Sequence, residues 1–69
     1  MRIGQLAQIA GIDTQTIRFY EQQGLLPPPE RQENGYRVYT EKHGEWLAFI
    51  RRCRILDLSL TEIRELQSY

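Results

Sequence analysis

Three consecutive prolines, Pro27-Pro28-Pro29, constrain this chain more than any other feature. They offer no backbone donors and force an extended, polyproline-like path, so no helix or central strand can run through them. Any element on their amino-terminal side must end by Leu26, and any element on the other side must begin anew. On the amino-terminal side lies Asp13 to Gly24 (DTQTIRFYEQQG), a short helical stretch with a capping residue at one end and a glycine stop at the other. On the carboxyl-terminal side lies Arg31 to Tyr39, with Asn34-Gly35 at its centre. Asn-Gly is the strongest short hairpin signal, because a type I′ turn needs positive φ at both central residues. The rest of the chain is arranged around a helix, a stiff exit and a tight hairpin.

Residues 3–10 place Ile3, Leu6, Ala7 and Ala10 on the i, i+3, i+4, i+7 stripe of a helix. Gly11 stops it, where a residue tolerant of positive φ sits cheaply. Asp13 then offers its carboxylate to the backbone N–H of Gln15 or Thr16 as an N-cap. Two helices so closely spaced, with a glycine in the turn and small Ala7 at the crossing, make a helix-turn-helix; the same residues also suit an αα-corner of a small bundle. On the second helix Ile17 and Tyr20 face inward, and Gln15, Arg18, Phe19 and Gln22 form the opposite stripe. A phenylalanine beside an arginine is poor design for a solvated stripe. It makes more sense against a sugar-phosphate backbone or a thymine methyl.

Leu25-Leu26 return to the core before the prolines. Strand alternation in the hairpin puts Tyr36 and Val38 on one face, Arg37 and Tyr39 on the other. A lone pair of strands is marginal, so this wing must lean on the helices through Val38 or Tyr39. Thr40 caps a third helix running to about Leu56, with Leu47, Ile50, Cys53 or Arg54, and Asp57 on one line. Trp46, Phe49, Cys53 and Leu56 lie on the adjacent line, and Gly44 costs that helix about 1 kcal/mol relative to alanine. Ser59-Leu60-Thr61-Glu62 is a capping box that starts a fourth helix, stapled by Leu58 and Ile63 and carrying Leu60, Ile63 and Leu66 on its apolar face. The expected fold is one all-α domain over residues 1–69, a winged helix-turn-helix of four helices with a small two-stranded antiparallel wing.

Charge argues against a nucleic-acid role at first sight. The chain has nine Lys/Arg and nine Asp/Glu, for a net charge of zero, whereas phosphate neutralisation favours a basic excess. A basic face must therefore be built by geometry. Arg51, Arg52 and Arg54 cluster without an acid between them, which suits either a solvated face or phosphate contact. Catalysis is excluded by spacing: Cys53 and His43 are ten residues apart on one helix, roughly 15 Å along its axis, beyond the reach a dyad needs. One Cys and one His cannot supply the convergent ligands that zinc takes. Cys53 reads as a buried small apolar residue and His43, in the first turn of its helix, as a solvated one. No apolar run approaches a membrane span, and the lone cysteine fits a reducing cytoplasm.

Taken together, Ile3-Gly4-x-Leu6-Ala7, Gly11-Ile12, Thr16-Ile17-Arg18-Phe19-Tyr20-Glu21, Gly24-Leu25-Leu26-Pro27, Gly35-Tyr36-Arg37-x-Tyr39 and Leu60-x-Glu62-Ile63-Arg64 resemble the N-terminal domain of MerR-type transcriptional regulators. The match runs from Ile3 to about Leu66, in the family's order and spacing. Phe49-Ile50-Arg51-x-Cys53-Arg54-x-Leu56-Asp57 is similar to the branch that senses cadmium, lead or zinc. The resemblance implies a DNA-binding domain whose full-length parent is a homodimer on a near-palindromic operator. Such a regulator bends and untwists the promoter so that a signal switches RNA polymerase on. It implies recognition-helix contacts from Arg18 and Phe19, with Thr16 and Tyr20 near phosphates. Tyr36 and Arg37 become wing contacts, and Arg31 and Arg54 phosphate partners. No cofactor belongs to these residues; a metal ion would belong to a full-length parent, in the bacterial nucleoid.

Four departures from the family stand out. Phe19 replaces a usual tyrosine, and Gly44 a usual aliphatic residue. Trp46 and Ile55 replace residues that are more often polar, which suggests a local apolar patch or an altered packing. The family's dimerisation helix and effector ligands lie beyond residue 69, so either a DNA-binding fragment or a natural short form is expected, monomeric in dilute solution. Two rival readings are an excisionase-like DNA-bending protein and a winged-helix module that binds protein, the latter favoured by the zero net charge.

Overall fold

Gly11 ends the first helix in the left-handed conformation (φ 68°), its N–H donating to the Ala7 carbonyl. The computed structural model describes all of residues 1–69. In chain order the elements are α1 (Ile3–Ala10), α2 (Thr14–Gln22), β1 (Glu30–Arg31), β2 (Arg37–Val38), α3 (Glu41–Ile55) and α4 (Leu60–Gln67). Four helices and a two-stranded antiparallel wing are the expected architecture.

The wing pairs Glu30 with Val38 and Arg31 with Arg37. Its turn differs from the expected type I′. Asn34 keeps a negative φ and only Gly35 is left-handed, at φ 86°. The Gly35 N–H donates to the Gln32 carbonyl at 2.8 Å, and the Gln32 N–H to the Tyr36 carbonyl at 2.9 Å. This is a three-residue loop, a tight turn over Glu33-Asn34 followed by one left-handed residue. Asn34 serves by its side chain instead, its Oδ1 accepting from the Tyr36 N–H at 3.2 Å. The Asn-Gly pair located the hairpin correctly but misplaced the turn within it.

The core draws one or more residues from every helix: Leu6, Ile17, Leu47, Ile50, Cys53 and Ile63, joined by Leu25, Leu26 and Tyr39. Each fully buried aliphatic side chain contributes about 1.5–3 kcal/mol, so these few residues carry most of the hydrophobic stabilisation. Cys53 is buried as its stripe required, and Tyr39 is the wing's anchor, only 1% exposed. Leu56, expected on the inward line, is exposed because α3 has already ended before it.

Two caps differ from expectation. Asp13 occupies the N-cap position of α2, but its carboxylate accepts from the Thr16 hydroxyl and caps no backbone N–H. His43 is buried, not solvated. Its Nδ1 accepts from the Thr40 N–H at 3.0 Å, and its Nε2 lies 3.0 Å from the Pro27 carbonyl oxygen. An imidazole that accepts at Nδ1 carries its proton on Nε2, so it donates to Pro27 and ties the proline exit to the start of α3. Ser59 and Glu62 form the reciprocal capping box that their spacing indicates.

The carboxyl ends of both helix-turn-helix elements are closed by arginines from the other two helices. Arg51 of α3 donates to the Ala10 carbonyl at 3.3 Å, and Arg64 of α4 donates to the Gln23 carbonyl. Gln67 adds a bond to the Leu25 carbonyl at 2.9 Å. Orphan carbonyls at a helix end favour cations, so α3 and α4 hold the orientation of α1 and α2. The apolar patch expected from Trp46 and Ile55 does not form. Trp46 is half-buried, edge-on to Phe49 at 5.8 Å, in a hollow with Leu66 and Tyr69. Ile55 lines a separate hollow with Met1, Ile9 and Ala48. Nine residues on a helix turn a side chain about half a revolution, so the two cannot share a face.

Candidate nucleic-acid interface

Glu21 joins the second helix to the wing. It lies four residues after Ile17, on the inward side of α2, where a half-buried carboxylate needs donors. The Tyr39 hydroxyl donates to Glu21 Oε2 at 3.0 Å. Arg37 Nε stands 3.6 Å from Glu21 Oε1, close enough for an ion pair and too far for a hydrogen bond. That nitrogen is buried and has no acceptor. Burial foremost, and then the Glu21 carboxylate, push the Tyr39 hydroxyl up to about 12, against the lowering pull of Arg37 and Arg18. One carboxylate thus holds the wing against the helix at both Tyr39 and Arg37.

The face that results is concave and basic. A cavity of about 290 Å³ is lined by Arg2, Ile3, Arg18, Gly35, Tyr36 and Arg37. Three arginines meet there, and no carboxylate is among the lining residues. Arg18 comes from α2, Arg37 and Tyr36 from the wing, and Arg2 from the residue that precedes α1. The Arg2 guanidinium stacks on the Tyr36 ring, 4.0 Å from its centroid. Its backbone is held next door, where the Met1 amine donates to the Tyr39 carbonyl at 2.6 Å and the Tyr39 N–H to the Met1 carbonyl at 2.7 Å.

Of the residues singled out in the sequence, Arg18, Tyr36 and Arg37 come together in this cavity. Phe19 is next to it on α2, 44% exposed, its ring tilted 51° against Tyr20 at 6.0 Å. Tyr20 packs half-buried against the core, and Thr16 is occupied with Asp13. Arg31 braces the turn, donating to the Gly35 carbonyl at 3.3 Å. Arg54 lies at the end of α3 and donates to the Leu58 carbonyl at 3.0 Å. Arg51 closes α1, so two of the three clustered arginines serve helix ends. Glu21 and Arg2 escaped the sequence reading. The inward register of Glu21 was a usable signal, but nothing local marks Arg2, which reaches the site only because the wing folds back to Met1. No three of the His, Cys, Asp and Glu side chains converge as a metal site would require.

Known proteins share this fold. The MerR HTH family regulatory protein pattern matches residues 1–69. The chain is 53% identical over 66 residues to the HTH-type transcriptional regulator ZntR homolog of Haemophilus influenzae, covering 96% of this chain and 49% of that one. It is 48% identical over 65 residues to the mercuric resistance operon regulatory protein of Bacillus cereus, covering 94% and 49%. Among solved structures, the transcription regulator PbrR691 from Ralstonia metallidurans CH34 in complex with lead(II) superposes with a TM-score of 0.94 at 53% identity, over 99% of this chain and 53% of that chain. HiNmlR, a MerR family regulator lacking the sensor domain and bound to promoter DNA, superposes with a TM-score of 0.87 at 33% identity, over 96% and 50%. The chain spans about half the length of the curated relatives it matches. It belongs to the MerR HTH family of regulatory proteins, as that family's winged helix-turn-helix domain.

Proposed function

We propose that the chain reads duplex promoter DNA as the operator-binding part of a metal-responsive transcriptional regulator. The observation that carries this is the acid-free cavity in which α2 and the wing each present an arginine. HiNmlR, of the same fold, is bound to promoter DNA without a sensor domain. The relatives named for mercuric resistance and seen with lead(II) favour a metal as the signal. In this reading α2 enters the major groove with Arg18 on base edges or phosphate and Phe19 on the backbone or a thymine methyl. The wing lays Tyr36 and Arg37 on the flanking backbone, with Thr16, Tyr20, Arg31 and Arg54 at its margins. The full-length regulator acts as a homodimer, in the cytoplasm, on a promoter occupied by RNA polymerase; no helix here is long and apolar enough to cross a membrane. The metal is an effector of that full-length protein and has no ligands among these residues.

Fluorescence anisotropy of a labelled duplex against rising salt tests the reading. Binding should fall steeply with salt, and Arg37→Ala should flatten the slope by about one unit while weakening all sequences alike. Binding that ignores salt would instead support a protein-interaction module.

A further inference from the structure

The acid-free cavity holds one more cation than the helix and wing supply, and that cation is Arg2. An exposed arginine at the start of a chain ordinarily wanders in solvent. Here three features hold it in place. The reciprocal bonds between Met1 and Tyr39 fix the backbone beside it. The Tyr36 ring supports the flat face of its guanidinium at 4.0 Å. Its edge therefore stays free to donate, since stacking uses only the face of the group. Arg37 lines the same cavity, its Nε buried on the Glu21 side. Glu21 lies at 3.6 Å from that nitrogen but outside the cavity's lining, so it orients Arg37 without occupying the space.

We propose that Arg2, Arg18 and Arg37 form a single cradle for one backbone phosphate of duplex DNA, with Arg2 as a direct ligand stacked on Tyr36. The inference deepens the DNA-binding reading and rests on it. Arginine suits the task because its planar fork can donate two parallel bonds to phosphate while stacked on an aromatic face. The cradle also binds three separate segments of the chain to one anion: the residue before α1, α2 and the wing. A phosphate seated there locks the wing to the helix-turn-helix, and this coupling is what a lone wing arginine could not provide.

The test uses the 69-residue chain and a fluorescent duplex of mixed sequence, about 30 base pairs long, titrated from 50 to 300 mM salt. Three variants are compared: Arg2→Met keeps apolar packing on Tyr36 and drops the charge, Arg2→Lys keeps the charge, and Arg18→Ala serves as the reference loss. Each phosphate contact contributes about 0.9 to the slope of log K against log salt, so Arg2→Met should flatten it by that amount and bind about eightfold more weakly at 0.1 M. Arg2→Lys should recover the slope. Circular dichroism should show all three folded, since Arg2 and Arg18 are exposed. A slope for Arg2→Met equal to that of the parent, beside a flattened slope for Arg18→Ala, would overturn the cradle and leave DNA binding intact. A parent chain that fails to bind the duplex in a salt-dependent manner would overturn the DNA reading itself.

Discussion

Tyr39→Phe removes one oxygen atom and tests the joint between wing and helix. The hydroxyl is donated to Glu21 at 3.0 Å from a side chain that is 1% exposed. A hydrogen bond to a charged acceptor contributes about 1.5–3 kcal/mol. Glu21 retains Arg37 as a partner at 3.6 Å, so the lower part of that range applies, about 2 kcal/mol at pH 7. In a domain of this size the melting point should fall by about 8–16 °C. The alkaline limb is more discriminating. Tyr39 titrates near 12 when folded against 10 when free, so its contribution is complete below pH 10 and is lost as pH rises through 12. Two units correspond to about 2.7 kcal/mol, of which about half has gone by pH 11. The parent and Tyr39→Phe should therefore converge in alkali, the gap of pH 7–9 having largely closed by pH 11.5. Urea denaturation followed by far-ultraviolet circular dichroism measures this without interference from tyrosinate quenching. A gap that stays constant to pH 11.5 would show that burial and Glu21 together do not hold the Tyr39 hydroxyl protonated, and the account of the wing's buried anchor would be wrong.

Three further outcomes are expected. Ser59→Ala should destabilise the domain by about 1 kcal/mol through loss of a helix cap. Because bonds from Ser59 hold the Glu62 carboxyl below its ordinary 4.5, the box's contribution is present above that pH and is lost as pH falls below it; the protection factor of the Ser59 amide, which donates to Glu62 Oε1, should fall accordingly in the parent. Cys53→Ser should cost about 1–3 kcal/mol, because it buries a hydroxyl without an assured partner, while duplex affinity of the folded fraction stays unchanged. The chain should sediment as a monomer at micromolar concentration, since a stable interface buries at least about 1,000 Å² and Trp46 and Ile55 lie in separate hollows; a tight dimer would contradict this.

The sequence disclosed most of the fold because its signals were local. Gly11, the capping box at Ser59 and the proline run each act within a few residues, and each appears where its chemistry placed it. Failures arose where a side chain had two possible partners. Asp13 could cap the backbone or accept from Thr16, and a hydroxyl three residues away on the same helical face proved the better positioned. His43 stood in a first turn that is normally solvated, but the Pro27 carbonyl takes no backbone donor and is satisfied by the imidazole. The buried site for that histidine is made by a segment sixteen residues distant, which no helical periodicity reports. Pairing Trp46 with Ile55 was a different failure, since the helical period alone separates them.

Arg2 marks the boundary of what local reading can reach, and it also resolves the apparent conflict between zero net charge and a basic reader. Charges in this chain are not scarce but sorted. Glu41, Glu45, Asp57, Glu62 and Glu65 lie on or beside α3 and α4; Asp13, Glu30 and Glu33 lie at the start of α2 and in the wing, but none of them lines the cavity. Arg51, Arg54 and Arg64 are spent on carbonyls at helix ends and turns. Glu21 lies 3.6 Å from Arg37, outside the cavity's lining, and takes the Tyr39 hydroxyl. What lines the cavity is Arg2, Arg18 and Arg37, with no carboxylate among the lining residues and Glu21 engaging Arg37 from outside it. Fields between exposed charges decay over about 8–10 Å in physiological salt, so a phosphate entering the cavity responds to these three groups far more than to the chain's total. A neutral sequence can therefore present a cationic face, provided that tertiary structure turns its acids elsewhere.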